Sequence, residues 1–263
     1  MSNVIYGIIA PHPPIVIPEI GGKRIKEAEN TKTSLEAVSK KLKSLLPDAV
    51  IIITPHGQIS QATIHVYTSH VFDGDFSAFG NSSIKIKCKG DPVMGRKILQ
   101  EAKEAGIYAA EIQESFLDHG ILVPYYYLAA AGVNCPVLPI AISLSSIRAL
   151  FEFGKAVSKA AELSGKKIAV TASADMSHRL TPDAPSGFSP RGKEFDEKLV
   201  DLVKNNDVNG ILDFDPVLAR EAGQDALWSI AILLGALEGS GLKSRVLSYE
   251  APFGVGYMVA EFI

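Results

Sequence analysis

AVIIITPHG, residues 49–57, contains a strand and the device that ends it. Residues 49–54 are apolar or β-branched without alternation, the pattern of a strand buried on both faces of a covered sheet. Pro55 cannot donate to a sheet ladder and Gly57 permits a turn, so the strand stops and delivers His56 at its carboxyl end. In open α/β sheets, ligands bind along that edge.

The same construction opens the chain. Residues 4–10, VIYGIIA, read as an apolar strand that halts at Pro11-His12-Pro13-Pro14. A third buried strand, 168–173 (IAVTAS), runs on through Ala174-Asp175-Met176-Ser177 to His178. Asp175, three residues earlier, is close enough in a turn to orient that imidazole by a hydrogen bond. Asp118-His119-Gly120 falls just before an apolar, aromatic segment that Gly132 closes, so His119 reads either as a helix-start residue or as a further histidine of the same group. His65 and His70 lie in an alternating stretch, 62–71, without a Pro-His turn, and are left out of the site.

Between these strands the chain spells helices. Helical spacing runs over about 25–46 until Pro47; Asp91-Pro92 starts a helix that Gly106 stops; Ser145 is placed to cap a helix ended by Gly165. Further strands are expected at 108–112 and 136–143, and two more, 244–251 and 256–263, close the chain. The Pro-, Ser- and Gly-rich loop 181–190 suits a rim or lid, a charged helix follows to about 205, and Asp215-Pro216 starts another. Around Trp228 and Ile232 a helix is apolar almost all round, as when packed deep against a sheet, and Glu221, Gln224 and Asp225 stand at its entrance. Asp225 is there either to cap that helix or to serve a site. This alternation predicts an α/β fold: one domain over 1–263, with a central mixed, largely buried β-sheet covered by helices on both faces.

Composition narrows the function. The chain has 263 residues, 47% hydrophobic and 21% charged, and a net charge of -3. That offers no basic field for nucleic acid, and no apolar run reaches the ~18 residues of a membrane span, so a cytoplasmic protein without nucleic-acid or membrane partners is expected. Cys88 and Cys135 form no C-x-x-C pair and read as reduced and structural, Cys88 sharing an apolar strand face with Ile84 and Ile86 while Lys85, Lys87 and Lys89 face solvent. Nucleotide-binding glycine motifs and a G-x-S-x-G elbow are absent, and no cofactor-binding residues are assigned.

What remains is His12, His56, His119 and His178 at or near the ends of core elements, with carboxylates available at Asp118, Asp175, Glu221 and Asp225. Two imidazoles and one carboxylate on one face of a metal leave adjacent positions open, the arrangement of non-haem Fe(II) oxygenases; Zn²⁺ with a bound water could use the same ligands for hydrolysis. APHPP (10–14), TPHG (54–57), DHGILVPYYYL (from 118), SADMSH (173–178) and EAGQDAL before ILLGALEG occur in order over nearly the whole chain. In these motifs the chain resembles the class III extradiol ring-cleavage dioxygenases of LigB type and the related Memo-like proteins. The resemblance implies Fe(II) bound by His12 and His56, a carboxylate third ligand at Asp225, with Glu221 or Glu250 as substitutes, and acid–base roles for His178 and His119. It implies a small-molecule, catechol-type substrate cleaved with O2. Alternatives are a Memo-like metal-binding protein with a redox or partner-binding role, and a zinc hydrolase. Tyr125, Tyr126 and Tyr127 either line the pocket or pack in the core. Oligomeric state stays open, a homo-oligomer included.

Overall fold

The computed structural model describes residues 3–263. From the amino terminus the elements are β1 (Val4–Ala10), α1 (Pro18–Gly21), α2 (Glu29–Leu45), β2 (Ala49–Thr54), β3 (Ile64–Tyr67), β4 (Val71–Phe76), β5 (Asn81–Lys89) and α3 (Pro92–Glu104). The middle of the chain supplies β6 (Ala109–Ile112), α4 (His119–Ala130), β7 (Val137–Ala141), α5 (Ile147–Ser164) and β8 (Ile168–Ser173). Then come α6 (Pro190–Lys204), α7 (Val208–Leu212), α8 (Pro216–Ala222), α9 (Ala226–Leu237), β9 (Ser244–Glu250) and β10 (Tyr257–Phe262).

Eight strands, among the described residues, form one mixed sheet in the order β6-β3-β7-β2-β8-β1-β10-β9. Its centre, β7, β2, β8 and β1, is parallel, while β10 and β9 add antiparallel at one side. All six residues of β2 and of β8 are buried, as the unbroken apolar runs require. Successive side chains divide between two cores. Ile9, Ile51, Ile53 and Val170 pack with α3, α5 and α9 on one face; Ile8, Val50, Ile52 and Ala169 pack with α2 and α4 on the other. The expected sheet covered on both faces is thus present.

Three local expectations change. The stretch 62–71 is not one strand: β3 ends at Tyr67, and Val71 begins a separate hairpin of β4 with β5, because the backbone turns where Gly90 N–H donates to His70 O at 2.9 Å. Lys85, Lys87 and Lys89 do face solvent there, with Ile86 and Cys88 buried. The helix after Leu144 is capped by Ser146, whose Oγ accepts from Ala149 N–H at 3.3 Å; Ser145 Oγ instead meets Ser143 Oγ at 2.9 Å. The first long helix begins as a 3-10 turn over Gly22–Ala28, and Leu46 ends it in the left-handed region, φ 51°. Among the described residues no helix is long and apolar enough to cross a membrane.

Candidate metal centre

Strand order explains how two histidines 44 positions apart meet. β1 and β2 flank β8, so His12 and His56 leave strands roughly 10 Å apart at the same sheet edge. Over the end of β8 their imidazoles converge, Nε2 to Nε2, at 2.9 Å. His12 is 1% exposed and fixed twice: its backbone N–H donates to Asp175 Oδ1 at 2.9 Å, and its Nδ1 lies 2.8 Å from Ser173 Oγ. With the proton on Nδ1 and donated to Ser173, Nε2 presents a free lone pair, as a metal ligand needs.

Asp225 lies beside these imidazoles. It occupies the position before α9, yet its side chain caps nothing; Gln224 Oε1 does so by accepting from Leu227 N–H at 2.8 Å. Asp225 Oδ1 accepts from Asp175 N–H at 2.9 Å, which aims Oδ2 at the imidazoles, 3.4 Å from His12 Nε2 and 3.3 Å from His56 Nε2. The three donor atoms therefore form a triangle of 2.9, 3.3 and 3.4 Å. Ligands about 2.1 Å from one metal are roughly 3.0 Å apart on an octahedral face and roughly 3.4 Å apart in a tetrahedron. The donors fit a first-row divalent ion, with spacing that suits either geometry.

Electrostatics agree with a cation site. Burial alone would push His12 down, but the Asp175 and Asp225 carboxylates outweigh it and the imidazole is pushed up to about 9. Burial would raise Asp225; the His12 charge and hydrogen bonds from His12 and His56 hold it well below the usual carboxylate range. The cluster thus retains a proton, which a metal would displace.

The remaining expected residues fall in three groups. His119 is the first residue of α4 and also belongs to the cluster: its ring lies 4.2 Å from that of His56 and 5.5 Å from that of His12, and one nitrogen of each histidine lies within 4.8 Å of the others. Burial, then the charges on His56 and His12, pull it down to about 3. Asp118 is no ligand; its Oδ1 accepts from Gly120 N–H and Thr54 Oγ1, both at 2.7 Å, pinning the helix start to the end of β2.

His178 stands at the rim with Nδ1 2.9 Å from Gly223 O. A carbonyl only accepts, so Nδ1 carries the proton. The expectation that Asp175 orients this ring is corrected: its Oδ2 is 4.0 Å from His178 Nε2, because its other oxygen is already engaged by the His12 backbone. Glu221 and Glu250 are elsewhere, the first paired with Arg191 at 3.2 Å, the second accepting from Thr31 N–H at 2.7 Å. Tyr127 hydroxyl donates to Val16 O and Tyr126 hydroxyl to Glu19 at 2.8 Å, while Tyr125 is buried, so the three tyrosines pack and tie rather than line the site. Burial pushes the Cys88 thiol up to about 12 and Cys135 up to about 11, consistent with inert thiols.

Sequence reasoning missed the roles of Ser173 and of Phe79, whose ring lies 5.2 Å from that of His119. Ser173 was signalled only as the last residue of a buried strand. Phe79 comes from the β4–β5 hairpin, whose docking beside α4 has no local signature.

A mixed α/β sheet with two imidazoles and a carboxylate converging at its carboxyl edge defines a candidate mononuclear metal protein. The family model described as the catalytic LigB subunit of aromatic ring-opening dioxygenase matches residues 6–260, and the chain belongs to the LigB family. It is 35% identical over 262 residues to Protein CA_C1420 of Clostridium acetobutylicum, covering 96% of this chain and 56% of that one, so it spans about half the length of that relative. It is 24% identical to the 3,4-dihydroxyphenylacetate 2,3-dioxygenase of Escherichia coli, covering 92% of each chain. The fold is shared with a solved structure, that of the uncharacterized protein JW3007 from Escherichia coli K12, at TM-score 0.66 and 15% identity, over 98% of this chain and 99% of that one.

Proposed function

We propose that this protein is a non-haem Fe(II) extradiol dioxygenase that opens a catechol-type ring with O2. The observation that carries the reading is the donor triangle of His12, His56 and Asp225, set in a chain of the LigB family. Relatives whose names specify dihydroxy aromatic substrates support it. Fe(II) held by these three side chains would supply charge that acidifies a coordinated phenol and an open face for ring and O2. The protein's own contribution is positional. His178, with Nδ1–H tied to Gly223, offers Nε2 to take the proton of a substrate hydroxyl. His119, half-buried beside His56 and held by the Asp118-capped start of α4, is placed as a neutral imidazole to donate a hydrogen bond to negative charge that develops as the ring opens. Burial of His12 and Asp175 excludes water from the inner side of the site and leaves approach from the side of His56 and His178.

The third imidazole favours a second reading. His12, His56 and His119 together suit Zn²⁺, whose bound water would make a hydrolase. Metal analysis after anaerobic purification separates the readings: iron with O2 uptake on catechols supports the dioxygenase, zinc with ester turnover supports the hydrolase, and bound metal without turnover supports a Memo-like binding role.

A further inference from the structure

A cavity of about 620 Å³ lies between the start of α5, the turn from α7 into α8, and the start of α9. That volume falls in the ~300–1,000 Å³ typical of small-molecule sites. Leu212, Phe214 and Leu227, all buried, are among its walls, together with the half-buried Trp228. None of His12, His56, His119, His178 and Asp225 lines it. Gly223 and Gln224 do, so the cavity and the metal site share a wall: the residue whose carbonyl holds His178 and the residue before Asp225.

The charges around this cavity have one sign. Arg148 and Arg220 line it, and no aspartate or glutamate does. A larger cavity beside α7, about 790 Å³, is lined by Glu152 and Glu238 as well as by Arg148, Lys155 and Lys243, a balance that selects for neither charge. Arg148 is already paired, with Asp213 at 2.5 Å. Arg220 is not: among the described residues no carboxylate lies within ion-pair distance of it, and the acids nearest in sequence are committed, Asp213 to Arg148, and Asp215 and Glu221 to Arg191.

A second group in the wall is also short of a partner. Gln224 is only 9% exposed, its Oε1 accepts from Leu227 N–H to cap α9, and its Nε2 has no hydrogen-bond partner among the described residues. A buried amide donor left unpaired costs free energy that an acceptor atom of a ligand would recover. An apolar cavity with one uncompensated guanidinium and one unpaired amide N–H fits a molecule that has an apolar body and a single carboxylate end.

We propose that this cavity is a binding site for an apolar monocarboxylic acid, whose carboxylate is held by Arg220 and Gln224 and whose body packs among Phe214, Leu227 and Trp228. The site is separate from the metal centre and independent of which metal the protein carries.

Trp228 is the chain's single tryptophan and stands in the wall, so its fluorescence reports occupancy directly. The full chain is titrated at neutral pH with octanoate and with 1-octanol, which matches the tail and lacks the charge. Octanoate is expected to give a saturable change with about tenfold or more higher affinity than octanol, the size of one hydrogen bond to a charged group. Arg220→Ala, at an exposed position, should abolish that preference and leave octanol binding unchanged. His12→Ala, which lacks a metal ligand, should bind octanoate as the parent does. No saturable change, equal affinity for the two probes, or a preference that survives in Arg220→Ala overturns the site. Loss of octanoate binding in His12→Ala overturns it too, because it would put the carboxylate on the metal.

Discussion

Asp225 carries the sharpest test among single residues, because its two candidate jobs require different chemistry. Asp225→Asn keeps an Oδ1 that accepts from Asp175 N–H, and the cap of α9 belongs to Gln224. The variant should therefore melt within a few degrees of the parent when both are metal-free, yet bind Fe(II) much more weakly, since an amide supplies no anionic oxygen. Glu221→Gln and Glu250→Gln should bind the metal normally, and loss of affinity in either would move the third ligand there. His178→Ala and His119→Ala should keep the metal and lose turnover by the ~10² to 10⁴ that acid–base catalysis contributes. Metal loss in His119→Ala would make that residue a ligand. His12 and His56 were legible in sequence because a Pro-His break after an apolar run is a local device. The orientation of His178 was not, because Gly223, the residue that holds it, lies 45 positions away and acts through its backbone.

At the scale of elements, the approach of α5 to α9 sets where Asp225 stands. A Cβ on Gly154 would come within 2.1 Å of Ile232 O, and one on Gly235 within 1.9 Å of Phe151 O, so the helices touch backbone to backbone. Gly235→Ala should force them apart and cost about 1–3 kcal/mol, the range for overpacking, read as a lower denaturant midpoint with the slope unchanged. An unaltered midpoint would show that the helices slide without penalty. Helices and strands themselves were visible in period and punctuation, down to Asp91-Pro92 and Gly106 at the two ends of α3. The close crossing was not, since a glycine inside the amphipathic α5 and one inside the apolar α9 read locally only as weak helix formers. The break of 62–71 into two strands of different sheets was hidden for a similar reason: the turn at 68–70 depends on Gly90, well downstream.

Across the whole molecule, two quantities respond to solution conditions. Asp196 on α6 is buried, and burial, though opposed by hydrogen bonds from Tyr249 and Ser177, pushes its carboxyl up to about 7. A carboxyl raised on folding binds its proton better in the native state, so its contribution is fully present below pH ~4 and is lost as pH rises toward about 7, at no more than about 1.4 kcal/mol per pH unit. Asp196→Asn should flatten that part of the stability–pH curve; an unchanged slope would place the titration elsewhere. Metal is the second, because an ion bound only to the native state stabilises it by about 2.7 kcal/mol at a hundredfold excess over Kd. Both effects depend on how the sheet gathers distant segments, and the order β2-β8-β1, which brings His12 and His56 together, follows from no single motif. The most direct measurement is iron per chain after anaerobic loading and desalting, for the parent and for His12→Ala, His56→Ala and Asp225→Asn, with circular dichroism confirming the fold. One iron per parent chain and little in each folded variant is expected; full iron retention by the three variants would contradict the site.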